Sequence, residues 1–196
     1  PRVPRKLPRY LTIEEIRRLL SVPDTSTPKG LRDRAILEVL YASGVRVSEL
    51  VALDLGDVDL GVGELRVIGK GNKERLSLLG RPAVRALQAY IDRGRPDQLS
   101  DQTTAVRAIF LNRFGGRLSS RSVDTIVRKS GIAAGIDETV TPHLMRHTFA
   151  THKLNGGADL RVVQELLGHD NIASTQIYAS ITQKRAREIY LQAHPR

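Results

Sequence analysis

Tyr178 lies nine residues after His169, which closes the triplet Leu167-Gly168-His169. Upstream stands Thr141-Pro142-His143-Leu144-Met145-Arg146-His147. A phenol, the histidines His143 and His169 and an arginine in the last third of a basic chain are the groups needed to hold a phosphodiester and attack its phosphorus without a metal. His143 and Arg146 are three apart, so they share one face of a helix. They fall in its first turn or so, where unpaired backbone N–H groups and the positive dipole end favour an anion. A phosphate docked on Arg146 leaves His143 against a reacting oxygen. The bland alternative is a solvated surface histidine beside a surface arginine. His143 and His147 also have the spacing of a zinc helix. Leu144 stands where a metalloprotease needs Glu, and the chain has no cysteine, so neither a metal nor a cofactor is expected.

The remaining candidates are weaker singly. His169 follows the glycine that ends a helix, where a dipole contact is the plain alternative. Tyr178 sits in Thr175-Gln176-Ile177-Tyr178, and a lone tyrosine at helical spacing is more often packed than nucleophilic. Arg46 is embedded in Gly44-Val45-Arg46-Val47-Ser48-Glu49-Leu50-Val51, with an i, i+3 pair to Glu49 as its alternative. Lys70 occupies a hairpin tip, either as a solvated turn residue or as a group reaching into a DNA groove.

Composition narrows the partner. The net charge of +10 points to a polyanion, because each neutralised phosphate releases counterions. Arg2, Arg5, Lys6 and Arg9 cluster without an acid, and residues 107–129 carry Arg107, Arg113, Arg117, Arg121, Arg128 and Lys129 against Asp124 alone. Simple solubility is the competing explanation of the charge. Five Tyr, three Phe and no Trp offer little to stack on bases, so double-stranded DNA gripped by its backbone is expected rather than a single strand. The 196 residues suffice for one well-filled core. No apolar run approaches the ~20 residues of a membrane span, and no secretory segment follows the N-terminus. With no cysteine framework, a cytoplasmic location and no membrane partner are expected. The chain opens on Pro1 and its one methionine is Met145, so a preceding segment is expected.

The elements that must position these groups can be read in order. Thr12 and Glu15 have capping-box spacing, which starts a helix. Ser21 to Gly30 reads as a loop, and Leu31, Ala35, Ile36, Val39 and Leu40 as one helical face broken at Gly44. A short helix is expected over Val45 to Leu53, and turns over Leu55 to Gly63. Glu64 to Ile68 and Arg75 to Leu79 read as the two strands of a hairpin. Pro82 opens a helix to about Ile91, and residues 92–106 look irregular. Ile109 to Leu111 suggests a short strand, and Ser119 or Ser120 caps a helix through about Lys129. Thr141 and Pro142 open a helix through Leu154. Asp159 caps another that Gly168 ends. Ser174 to Tyr178 and the basic tail from Gln183 to Gln192 look helical. The class is α+β, mainly helical, with a small antiparallel β-hairpin.

Taken together, Leu11 to Glu15, Gly44 to Leu50, Val67 to Arg75, Thr141 to His152, Ala158 to Tyr178 and the final His194-Pro195-Arg196 resemble the catalytic domain of the tyrosine recombinases, also called phage-type integrases, and among them the Xer recombinases. The resemblance spans Leu11 to Arg196. It implies Arg46 as the first catalytic arginine, Lys70 as the hairpin lysine, His143 and Arg146 as the His-x-x-Arg pair, His169 as the later histidine and Tyr178 as the nucleophile. It further implies residues 1–10 as an interdomain linker, 11–182 as the catalytic domain and 183–196 as a C-terminal helix for protomer contact, with Ala186, Ile189 and Tyr190 as anchors. The implied activity is metal-independent, site-specific DNA recombination through a 3′-phosphotyrosyl intermediate, in a homo- or hetero-tetrameric synapse at the nucleoid. Its implied task is the resolution of chromosome or plasmid dimers. Leu144, Met145 and Ala179-Ser180 depart from the usual pattern, and the resemblance does not take in the family's N-terminal DNA-clamping domain, so clamping of a whole site is not expected of these residues alone. Competing readings are a type IB topoisomerase and a non-catalytic DNA-binding protein. The latter explains the charge but not the order Arg46, Lys70, His143, Arg146, His169, Tyr178.

Overall fold

Thr12 opens α1 (Ile13–Ser21) with a reciprocal capping box. Its hydroxyl accepts from the Glu15 N–H at 3.1 Å, and the Glu15 carboxylate accepts from the Thr12 N–H at 2.8 Å. The computed structural model describes residues 9–99, 106–168, 188 and 190–195. The next helix, α2 (Pro28–Ser43), begins inside the stretch read as loop. Thr27 caps it by accepting the Gly30 N–H, and Pro28 fits a first turn where no N–H is needed. Its buried residues run all round the helix, so α2 is the central rod on which α1, α3 (Val47–Ala52) and three later helices, Arg81–Ala89, Ser120–Ala133 and Pro142–Asn155, pack. Gly44 ends it at φ 64°, turning the chain into α3.

The sheet has three antiparallel strands in the order β1 (Val58–Asp59), β2 (Glu64–Ile68), β3 (Glu74–Leu78). The sequence reading anticipated β2 and β3 but took β1 as turn, because two residues carry no alternation. Arg75 pairs with Val67 and Glu74 with Ile68. The Gly69 N–H donates to the Lys73 carbonyl and closes the tip, a single 3-10 turn over Lys70–Asn72.

Helix α4 (Arg81–Ala89) does not stop near Ile91. It runs through a π turn, Tyr90–Gly94, into α5 (Arg95–Gln98). The wider turn lets the helix pass Pro96, whose ring clashes with a regular α ladder. A side chain at Gly94 would press on the Tyr90 ring at 2.9 Å and on Leu31 at 3.1 Å. Arg95 then donates to the carbonyls of Val106 (2.7 Å) and Ala108 (2.8 and 3.0 Å). Ile109 to Leu111 forms no strand. Only the isolated bridges Asp54 to Ala108 and Leu111 to Arg117 flank it, since each neighbouring segment offers one residue of pairing.

Ser119 caps α6 (Ser120–Ala133), which extends one turn beyond Lys129. Thr141 caps α7 (Pro142–Asn155), and Asp159 caps α8 (Leu160–Leu167), which ends at Gly168 with φ 70°. The main core gathers α1 to α4, α6 and the start of α7. A second cluster joins Leu78, Phe149, Val163, Leu166 and Leu167 to Tyr190 and Ala193. The described part of the tail therefore packs on its own domain. The Tyr190 hydroxyl donates to the Ala42 carbonyl (2.7 Å) and accepts the Gly80 N–H (3.0 Å). The Lys153 amine donates to the Tyr190 carbonyl at 2.9 Å and sits 3.2 Å from that ring's centre. Ala186, Ile189 and the segment from Ser174 to Tyr178 lie outside the described residues.

Candidate functional site

The site is built where α2 ends. Gly44 has no room for a side chain: a Cβ there would stand 2.3 Å from the Phe149 ring and 2.8 Å from Leu167. The left-handed turn aims the Gly44 carbonyl at α7 and starts α3 at Arg46. Glu49, in the first turn of α3, reaches back to accept the Arg46 N–H at 2.7 Å. Its carboxylate also accepts Arg46 Nη1 at 3.3 Å and a fork from Arg75, Nη1 at 2.7 Å and Nη2 at 2.9 Å. Arg75 comes from β3, and its Nε donates to the Leu166 carbonyl at 3.3 Å. Arg146, one turn into α7, donates to the Gly44 carbonyl and, at 2.7 Å, to the Leu167 carbonyl. Two guanidiniums thus cap the end of α8, where free carbonyls and the negative dipole end attract cations.

Two guanidiniums pair with the Glu49 carboxylate and a third, Arg146, lies within its electrostatic reach, an excess of two positive charges. Burial pushes Arg146 down to about 10, Arg46 adds to the fall, Glu49 opposes it and Arg75 adds again. Burial alone raises Glu49, but the Arg75 fork, the Arg46 N–H and both guanidinium charges outweigh it and hold the carboxyl below its ordinary value. An excess of fixed positive charge with a half-exposed Arg46 is a receptor for an anion. Arg146 spends two of its five N–H donors on carbonyls, which leaves three for a ligand.

Arg46 and Arg146, read from the sequence as candidates, are therefore brought together. The alternative pairing of Arg46 with Glu49 also holds, and the pair is part of the site. Lys70 stands at the exposed hairpin tip, beside Gly69, where a Cβ would lie 3.7 Å from both Arg75 Nη1 and Glu49 Oε1. His143 is exposed in the first turn of α7, and the Thr141 hydroxyl accepts the Leu144 N–H beside it. His169 and Tyr178 lie outside the described residues; His169 directly follows Gly168 in the chain. A Cβ on Gly168 would meet the Arg75 guanidinium at 2.9 Å. His147 shares α7 with His143, and its carbonyl accepts the Thr151 hydroxyl. His152 is structural, bonded to the Tyr41 hydroxyl and the Leu11 carbonyl, both at 2.8 Å.

Sequence reasoning missed Glu49 and Arg75 as members of the site. The available signal was strand alternation. Arg75 shares the inward-facing register of β3 with the buried Ser77, an unusual place for a cation without a counter-charge.

Comparisons with known proteins fit this arrangement. The sequence pattern described as the phage integrase family matches residues 9–185. Tyrosine recombinase XerC of Pelotomaculum thermopropionicum is 48% identical over 198 residues, covering all of this chain and 65% of that protein. Tyrosine recombinase XerD of Mycobacterium tuberculosis is 49% identical over 200 residues, covering all of this chain and 64% of that protein. Among solved structures, the XerA recombinase superposes with a TM-score of 0.75 at 35% identity, covering 100% of this chain and 67% of that one. XerH bound to its difH substrate, a pre-cleavage complex, gives 0.72 at 26% identity, with 94% and 54% covered. The chain spans about 65% of the length of these curated relatives. With the family pattern running from Arg9 to residue 185, this chain belongs to the phage integrase family of tyrosine recombinases.

Proposed function

We propose that the chain is the catalytic domain of a site-specific recombinase, cutting and rejoining duplex DNA through a 3′-phosphotyrosyl intermediate. The observation that carries the reading is the convergence of Arg46 and Arg146, with Arg75 and one buried carboxylate, into a pocket with surplus positive charge. The match of this whole chain to about 65% of relatives named as recombinases supports it.

A free tyrosine ionises near ~10, so forming its anion at pH 7 costs about 4 kcal/mol. The site must lower that barrier. In this reading Arg46 and Arg146 hold the two non-bridging oxygens of the scissile phosphate. Removing one preorganised donor of this kind typically costs about 3–4 kcal/mol. His143 takes the Tyr178 proton as the Oη–P bond forms. The P–O5′ bond breaks, and Lys70 gives the departing oxygen its proton. His169 donates a hydrogen bond to the phosphate. The phosphotyrosine keeps the energy of the broken bond, so a 5′ hydroxyl of a second strand can attack it and release Tyr178 without ATP.

Covalent capture tests the reading. A pool of nicked duplexes with random cores is incubated with the protein, and the DNA-bound peptide is sequenced by mass spectrometry. Tyr178 is the expected attachment point, and Tyr178→Phe is expected to lose capture while keeping binding. Capture by that variant refutes the assignment. Relaxation of supercoiled plasmid without site dependence would favour the topoisomerase reading. We further infer a synapse of four protomers on two duplexes, acting at the nucleoid to resolve chromosome or plasmid dimers. A two-site plasmid that stays dimeric with the full-length recombinase present counts against that task, and native masses lacking a 4:2 complex count against the synapse.

A further inference from the structure

We propose that Arg75 is a positioning residue that sets Lys70 for protonation of the leaving 5′ oxygen. The proposal rests on the recombinase reading above and extends it to a residue that touches no substrate. Arg75 rises from β3 opposite Val67, at the root of the tip that carries Lys70. Its guanidinium is held on three sides: both Glu49 oxygens in α3, the Leu166 carbonyl at the end of α8, and close packing against Gly168. It is largely buried, whereas residues 70–74 are exposed. The tip is thus the far end of a two-strand ribbon, and Arg75, opposite the buried Val67, is the charged side chain that ties its root to α3 and to the end of α8. Through Arg75 the Lys70 strand is tied to the helix of Arg46 and to the helix end that precedes His169.

The chemistry makes this anchor matter. An acid must stand about 2.6–3.2 Å from the atom it protonates, and a misplacement near 1 Å costs on the order of a hundredfold in rate. Arg46 keeps the Glu49 carboxylate, through Nη1 and its own backbone N–H, and Arg146 keeps the Gly44 and Leu167 carbonyls. Loss of Arg75 should therefore fall first on the lysine and only later on the phosphate pocket.

A substrate pair separates these roles. One nicked duplex carries the ordinary 5′ oxygen at the scissile phosphate, the other a 5′-bridging sulfur. With sulfur, the P–S bond breaks and a thiolate leaves unprotonated, since a thiol ionises near ~8.5 and the reaction needs no acid. Arg75→Met is expected to slow covalent capture of the oxygen substrate at least about tenfold more than capture of the sulfur substrate, whatever common slowing the loss of one pocket charge adds to both. Lys70→Ala should show the same pattern. Arg75→Lys should resemble Arg75→Met, because an ammonium cannot fork both Glu49 oxygens. If Arg75→Met fails to fold by circular dichroism, Arg75→Lys, which keeps the charge, decides by the same comparison. Equal slowing of both substrates overturns the proposal, as does no slowing of either. If the parent captures neither substrate, the recombinase reading falls and this one with it. If the parent captures both and the Arg75 variants lose both alike, only the Arg75 assignment falls.

Discussion

Replacing Glu49 with glutamine keeps the shape of the side chain and removes its charge, which tests the pocket's electrostatic logic directly. The carboxylate is nearly fully buried and accepts at both oxygens: Arg46 Nη1 and Arg75 Nη1 at one, the Arg46 N–H and Arg75 Nη2 at the other. An amide accepts at one oxygen only. Whichever way it turns, its NH2 faces a guanidinium and two donors lose their acceptor. A hydrogen bond to a charged group contributes about 1.5–3 kcal/mol, and truncating a buried ion pair costs about 3–5 kcal/mol. The expected loss is therefore about 3 kcal/mol, since half of the interactions survive. With a urea slope of about 2 kcal/mol/M, the unfolding midpoint should fall by about 1.5 M at pH 7. The sign with pH follows from the depressed carboxyl of Glu49. Its contribution is complete above the ordinary carboxylate value and is lost as pH falls through its lower folded value. The gap between parent and variant should narrow as urea titrations are carried below the ordinary value of about 4.3. A midpoint shift under about 0.3 M at pH 7, or a gap that widens toward acid, refutes the reasoning.

Three further outcomes follow from the same geometry. Gly44→Ala places a Cβ on Phe149 and Leu167 at a positive φ, so thermal unfolding should show a loss of about 3 kcal/mol, compounding about 1–2 kcal/mol of backbone strain with overpacking; an unchanged melting temperature counts against it. Burial holds the Lys153 amine down to about 6, so the native state binds fewer protons than the unfolded chain from there up to the ordinary lysine value. Stability of the parent should climb with pH across that window, and Lys153→Met should flatten the climb; parallel melting curves from pH 6.5 to 9.5 would show that the amine is not desolvated. Arg121→Gln and Lys129→Gln lie on the exposed face of α6, and each should reduce the slope of log Kd against log salt for duplex DNA by about 1; an unaltered slope removes α6 from the DNA surface.

Arg46 and Arg146, the candidates that the structure brings together, were legible because they are marked by type and order. Thr141, Pro142 and the i, i+3 spacing fix His143 and Arg146 on one helix turn, and Gly44 announces the sharp turn that starts α3. Glu49 and Arg75 were not legible as site residues. Their partnership joins α3 to β3 across 26 positions of sequence, and strand alternation, which turns Arg75 inward, does not name its partner. The fold follows the same division. The capped helices α1, α6, α7 and α8 were readable from Thr12, Ser119, Thr141 and Asp159. The start of α2 was hidden because Thr27-Pro28 sits among other loop-forming residues. The continuation past Ile91 was hidden because Gly94 and Pro96 read as a stop, and only the π turn makes them compatible with a helix.

Arg95 has a practical corollary. By gripping the Val106 and Ala108 carbonyls from the first residue of α5, it ties that helix directly to the segment that follows position 105. Each doubling of a connection's length costs only about 0.6 kcal/mol in closure entropy. A lengthened connection, such as one carrying a fluorescent reporter or an epitope tag, therefore adds only a small entropic cost while the Arg95 clasp holds its two ends.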